Sequence, residues 1–216
     1  MIENAPGPID IAYIQKMHGD NYDASAATLV PLLMQVKLGD KKLEEMRAIF
    51  DGWDYQDKMD SAPAALYAAF WRRFLTNTFG DDLPEERQPG GSSRWFEVVR
   101  NMAEQPDSHW WDSQLTADKV ETREDIFKQS FAQAVADVQE ALGKDPAKWR
   151  WGDLHTSTFE NQTLGKSGVA PIEALFNRGP FPTAGGASIV NATGWNASKG
   201  FEVPSVPSMR MIVDVG

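Results

Sequence analysis

Between positions 123 and 142, Ile126, Phe127, Phe131, Val135, Val138 and Leu142 recur three to five residues apart. That period draws an apolar stripe along one face of a long helix, and such a face must be buried against something else in the fold. Thr122 offers an N-cap at its start and Gly143 a stop at its end. A second helix is expected after Ser61, with Pro63 in its first turn. Leu66, Phe70 and Phe74 then lie four apart, with Tyr67 and Trp71 beside them. Aromatics at helical spacing read as core rather than as a ligand site. Further helices are expected at 10–17, 24–36, 41–50 and 93–104, with DDLPEERQPGGSS as a solvated loop between two of the helices.

The pattern changes near Pro146. WRWGDLHTSTF has alternating character, ASIVNAT is a short β-prone run between glycines, and MRMIVDV, from Met209 to Val215, reads as an apolar strand. Gly, Pro, Asn and Ser fill the intervals. These few strands make no comfortable sheet by themselves, so they are expected to belong to a larger one. The division that follows is a mainly helical scaffold over 1–146 and a strand- and loop-rich region over 147–216, joined in one structural unit. The fold class is α+β.

Composition narrows the function classes. A hydrophobic fraction of 42% with 24% charged residues belongs to a packed globular chain. The formal charge of −10, from 21 Lys and Arg against 31 Asp and Glu, would repel a polyphosphate, which argues against nucleic acid as a partner. No apolar run approaches the length of a membrane helix, so no membrane partner is expected, and MIENAPGPIDIA has neither the basic nor the apolar segment of an export signal. The absence of cysteine rules out thiol catalysis, disulfides and cysteine-bound metal.

Three ordered elements carry a family resemblance. Trp151, Gly152 and His155 form a Trp-Gly-x-x-His element; Asn177, Arg178, Gly179 and Pro180 are followed by the pair Gly185 and Gly186; Ser208 and Arg210 precede an apolar run ending in Asp214. Upstream, Asp20, Asp23, Ser25 and Ala26 lead into Leu-Val-Pro-Leu-Leu and a Trp-Asp pair. In this order the chain resembles the later part of the large subunit of the penicillin amidase (penicillin G acylase) family of N-terminal nucleophile hydrolases. The resemblance spans essentially the whole chain.

The resemblance implies an αββα sandwich of which these residues form a part, and hydrolysis of the amide in β-lactam antibiotics or acyl-homoserine lactones. It also implies that the nucleophile is a serine freed at the start of the large subunit, upstream of the matched region, whose own amino group serves as general base. Calcium ligands, in members that bind it, lie upstream as well, so no cofactor is expected in this chain. The implied partners are the remainder of the large subunit, the small subunit of the same precursor and a small N-acyl substrate. The parent protein is expected to be periplasmic or secreted, and these residues are expected to be an interior piece of it, inactive alone.

Two residues are candidates for a catalytic role. Asp214 matches, by resemblance, a late carboxylate that orients a histidine in cephalosporin-type acylases; His155 belongs to a recurrent motif, for which a structural hydrogen-bonded role is the simpler reading. Gly91-Ser92-Ser93-Arg94-Trp95 imitates the family's processing point, but the following FEVVRNMAEQ reads as a helix, so Ser92 or Ser93 is expected to be a helix N-cap. Met1 has no nucleophile. Eight tryptophans raise a glycan-stacking surface, though in such an apolar chain they are expected in the core. Asn161, Asn191 and Asn196 begin glycosylation sequons. The reading of a different class is a helical interaction module derived from such an enzyme and devoid of catalysis.

Overall fold

The computed structural model describes residues 1–214. Six helices come first: α1 (Ile11–His18), α2 (Ala24–Leu33), α3 (Lys41–Arg47, continued by a 3-10 turn to Phe50), α4 (Ala62–Phe79), α5 (Ser93–Ala103) and α6 (Arg123–Leu142). Each begins where its sequence offers a cap. Asp10, Asp23, Asp40 and Ser61 accept hydrogen bonds from the first-turn amides of α1 to α4. Thr122 and Asp125 form a reciprocal capping box on α6, and Gly143 ends it with a positive φ of 87°.

The helical pair α4 and α6 forms the centre of the molecule. Phe70, Phe74, Phe127 and Phe131 are all fully enclosed, with Phe74 and Phe127 in edge contact at 4.9 Å between ring centroids. Trp111 closes one end of this layer, and Leu29, Leu33 and Leu38 pack on another. Burying each such side chain contributes roughly 1.5 to 3 kcal/mol, which makes this stack the main apolar support of the fold. None of the eight tryptophans is exposed, so no row of indoles faces solvent.

Beyond Gly143 the chain follows a different logic. A 3-10 turn (Pro146–Lys148) leads to the one-turn helix α7 (Trp151–Leu154), then β1 (Thr156–Phe159), α8 (Ala170–Phe176) and β2 (Arg178–Pro182). The strands β1 and β2 pair antiparallel with an irregularity between Ser157 and Phe159. Trp149 inserts into the main core, while Trp151 packs on Ala64, Ala65 and Ala68 of α4.

Three expectations of β structure are corrected. In WRWGDLHTSTF, Trp151–Leu154 is helical turn rather than strand, because Trp151 and Gly152 donate their amides to Ser61 and Met59 carbonyls instead of to a sheet; only Thr156–Phe159 is strand. ASIVNAT folds into turns around Ser188, whose φ is 68°, and contributes only an isolated bridge between Gly186 and Ala192. Residues 209–214 form no strand, since no partner strand lies beside them among the described residues; Val215, the last residue of that expected strand, lies outside them. The helix α8, with Pro171 in its first turn, was not foreseen.

Candidate functional site

The motif residues do not scatter. Trp151, at the start of α7 and bonded through its amide to Ser61 before α4, donates its indole N–H to the Gly185 carbonyl at 2.9 Å. The His155 ring stacks on that indole, with centroids 4.3 Å apart and planes 10° from parallel. His155 is fully buried and both ring nitrogens are engaged: Nδ1 with the Phe201 carbonyl at 2.8 Å and Nε2 with Thr193 Oγ1 at 2.9 Å. Burial lowers its pKa to about 4, against the hydrogen bonds that favour the charged form.

A proton count fixes the roles of these groups. The neutral ring carries one N–H, and a carbonyl can only accept, so the proton sits on Nδ1 and points at Phe201. Nε2 must then accept the single Thr193 hydroxyl proton, although that hydroxyl also lies 2.8 Å from the Ala184 carbonyl. An imidazolium would satisfy all three contacts by donating to Thr193, which would donate on to Ala184. Either way no ring nitrogen is left for a substrate. His155 thereby ties α7 to the loops carrying Thr193 and Phe201.

The glycine pair sits at the next layer. Gly185 donates its amide to the Asp57 carbonyl at 2.8 Å, and Gly186 donates to the Asn191 carbonyl at 3.3 Å. A Cβ on Gly185 would fall 2.2 Å from the Asn191 carbonyl oxygen, and its φ of 89° lies in the region L side chains avoid. Asn191 in turn receives the Arg210 guanidinium at Oδ1, donates Nδ2 to Asn21 Oδ1 at 2.7 Å and donates its amide to the Asp20 carbonyl. Arg210 also donates to the His18 carbonyl at 2.6 Å. Thus Trp151, Gly152, His155, Gly185, Gly186 and Arg210 meet the loop 18–23 and Asp57 in one continuous network.

The remaining motif residues lie elsewhere. Asn177 fastens the loop before α8, accepting from the Asn161 amide and donating to the Gly165 carbonyl. Arg178 is exposed and caps carbonyls of Leu175 and Asn177, and Gly179 precedes a cis Pro180 in β2. Ser208 is exposed. Asp214 lines a shallow cleft with Asp10, Ile11 and Ile14 at the start of α1, while His155 has no carboxylate on either ring nitrogen. Ser92 stands at the N-terminus of α5.

Beneath the network is a small acidic cavity that sequence reasoning found only in part. Asp23 Oδ1 takes the Ser25 amide at 2.7 Å, the Ser25 hydroxyl at 2.6 Å and the Ala26 amide at 3.2 Å, and Tyr67 donates its hydroxyl to Ser25 Oγ at 2.8 Å. Asp57, 6% exposed, faces the same cavity, and its Oδ1 is buried without a hydrogen bond. Burial raises the pKa of Asp23, opposed by its Ser25 and Ala26 hydrogen bonds. Burial, with the nearby Asp23 charge, pushes Asp57 well above the usual carboxylate range. Asp57 and Thr193 carry no spacing signal; only their burial beside motif residues marks them.

Comparison with known proteins gives the chain a family. The chain matches the family described as Penicillin amidase over residues 1–216. It is similar to the acyl-homoserine lactone acylase QuiP of Pseudomonas syringae pv. syringae, with 32% identity over 161 residues that cover 71% of this chain and 19% of that protein. The protein of the same name from Pseudomonas aeruginosa is 28% identical over 172 residues, covering 72% of this chain and 20% of its own length. The chain therefore spans about a fifth of the length of the curated relatives it matches.

Proposed function

The chain belongs to the penicillin amidase family, and from that premise we propose that its residues build a supporting frame for an acylase-type amide hydrolase whose nucleophile comes from another part of the same precursor. The observation that carries this reading is the convergence of Trp151, His155, Gly185, Gly186 and Arg210 on one network in which every polar group holds another segment of the chain. The network's chemistry is that of positioning: a histidine closed at both nitrogens, an arginine bound to a carbonyl and an amide, and a glycine pair admitting close backbone approach.

The substrate class we propose is a small N-acyl compound, with acyl-homoserine lactones first because the relatives are named for them. Side-chain amides of β-lactams come second. The remainder of the large subunit and the small subunit of the precursor are the proposed partners, and an exported location is proposed for the whole protein. Autocatalytic release of the serine belongs to the same reading.

The test is hydrolysis of a chromogenic phenylacetyl anilide and of an N-acyl-homoserine lactone, by this chain alone and by the longer precursor. Turnover by the cleaved precursor, and none by these 216 residues, is the expected result. Turnover by these residues alone would overturn it, and Ser92→Ala would then be the first variant to make.

A further inference from the structure

Between Thr158 and Pro182 the chain leaves the body of the molecule as an arm that no other described residues cover. It runs out along β1, turns through α8 and returns along β2. Of its residues only Gly165 is buried, with Glu173 and Asn177 half-buried, so its apolar side chains face outward. Phe159 and Phe181 meet across the two strands at 6.1 Å between ring centroids, and each is about half exposed. On α8, Ile172 shares a face with Leu175 and Phe176, three and four positions on, and Leu175 is 66% exposed. Glu173 is the least exposed residue of that helix, which inverts the usual order of a surface helix. Seven residues with no side-chain cap and no buried side chain do not sustain a helix in water. The arm is nonetheless preshaped: Asn177 bonds to Asn161 and Gly165, and Thr183 ties the returning strand to the His155 carbonyl. All four of its charges are engaged within it. Lys166 pairs with Glu160 at 3.2 Å, Glu173 accepts the Gly168 amide, and Arg178 donates to the Leu175 and Asn177 carbonyls. Two basic and two acidic residues leave the arm neutral, so the formal charge of −10 lies wholly on the rest of the chain.

We propose that this arm docks the chain onto the remainder of the same precursor, with Phe159, Ile172, Leu175, Phe176 and Phe181 seated on an apolar, uncharged face of it. The inference rests on the reading of the chain as part of a longer acylase precursor. The curated relatives are about five times as long as the part matched here, which is length enough to hold such a face. Apolar and aromatic side chains with charge removed from among them are the composition of an interface core. An arm already in shape loses little conformational freedom on docking. A second copy is the poorer occupant, because it would bring another charge of −10 beside the first. A lipid surface is poorer too: segments that lie in it offer Lys and Arg to the headgroups, whereas Lys166 and Arg178 are engaged inside the arm. Pro180 and Pro182 have no amide proton to give a further strand, so on β2 side chains rather than ladder bonds carry the contact. The motif Asn177-Arg178-Gly179-Pro180 then has a task, the shaping of this arm. Since the arm is rooted at His155, docking would join the network to the rest of the enzyme.

The experiment is hydroxyl-radical footprinting of this chain alone and of the longer precursor, read residue by residue by mass spectrometry. In the chain alone Phe159, Leu175, Phe176 and Phe181 are expected to be oxidised freely. In the precursor their labelling is expected to fall to the level of Phe74, which is enclosed within this chain itself. Leu175→Asp is expected to leave the Tm of the chain alone unchanged and to lower the yield of folded precursor. Val120→Asp, at a position 74% exposed in the loop before α6, is expected to change neither. An arm labelled as strongly in the folded precursor as in the chain alone would overturn the proposal, and so would an equal loss of precursor from both substitutions. Protection of the arm by a second copy at high concentration, or by phosphatidylcholine vesicles, with none in the precursor, would overturn it in favour of that occupant. The footprint does not depend on turnover. A protected arm in a precursor that hydrolyses neither substrate supports the docking and sinks the proposed function; turnover with a freely labelled arm does the reverse.

Discussion

The helical region up to Leu142 and the looped region beyond Trp149 are stabilised by different means. The first buries rings against rings: Phe70 and Phe74 of α4 meet Phe127 of α6, and Phe131 of α6 meets Phe50. The second contributes few buried apolar side chains, chiefly Trp149, Trp151, Ala197 and Val203, and is fastened by directed bonds to the first. Arg72 of α4 donates to the Ala197 carbonyl at 2.7 Å and lies 4.7 Å over the Phe201 ring; Gly185 and Asn191 donate to carbonyls of Asp57 and Asp20. Apolar burial is tolerant of direction, whereas hydrogen bonds are not. The helical region is therefore a base that can stand first, and the looped region is shaped by where that base puts its polar groups.

The largest test removes the base. Phe74→Ala is expected to cost about 3 to 5 kcal/mol through the lost burial and the remaining cavity. In urea unfolding both regions should melt together at a lower midpoint; a looped region that kept its amide-exchange protection would break the comparison. Acid should then attack the looped region selectively. His155 has a folded pKa of about 4 against 6.5 ordinarily. Below 6.5 the unfolded chain takes up a proton that the folded one refuses, so the stability His155 contributes is complete above pH 6.5 and disappears as pH falls to 4. The full loss is on the order of 3 kcal/mol. Stability followed by urea titration across that window should decline with pH in the parent and lose most of this slope in His155→Gln.

Gly185→Ala sharpens the comparison from within the looped region. The strained φ and the clash with Asn191 should cost about 2 kcal/mol, read as faster exchange of the Asn191 and Gly186 amides while helical circular dichroism is unchanged. Thr122→Ala, on the helical side, is expected to cost about 1 kcal/mol by removing one half of the capping box. Its effect should appear in the global midpoint, since α6 belongs to the base on which everything else rests.

The same contrast explains what could be read before any coordinates. Helices α4 and α6 were legible because their period, their caps Ser61 and Thr122, and the stop at Gly143 are local signals. The strand expected from Met209 failed because β-prone residues require a partner, and Arg210 is instead drawn to His18 and Asn191. ASIVNAT failed because Gly185 and the left-handed Ser188 turn the chain before it can extend. Of the site, Trp151, His155, the glycine pair and Arg210 were marked by their motif. Asp57 and Thr193 were not, because what distinguishes them is burial beside residues far away in sequence. α8 carried a usable sign, a proline in a first turn, that went unused.

The bond from Arg210 to His18 spans 192 positions, and that from Asn191 to Asn21 spans 170. Closing segments of that length is the slowest kind of contact to find, because most of the chain must already be in place to hold the ends near each other. These contacts are therefore expected to form last in the order of assembly. During synthesis, the stretch around His18 and Asn21 leaves the ribosome long before its partners exist, so its polar groups are expected to stay hydrated until Asn191 and Arg210 follow. A pulse-labelling experiment would find the Asn191 amide among the latest to gain protection, well after those of α4.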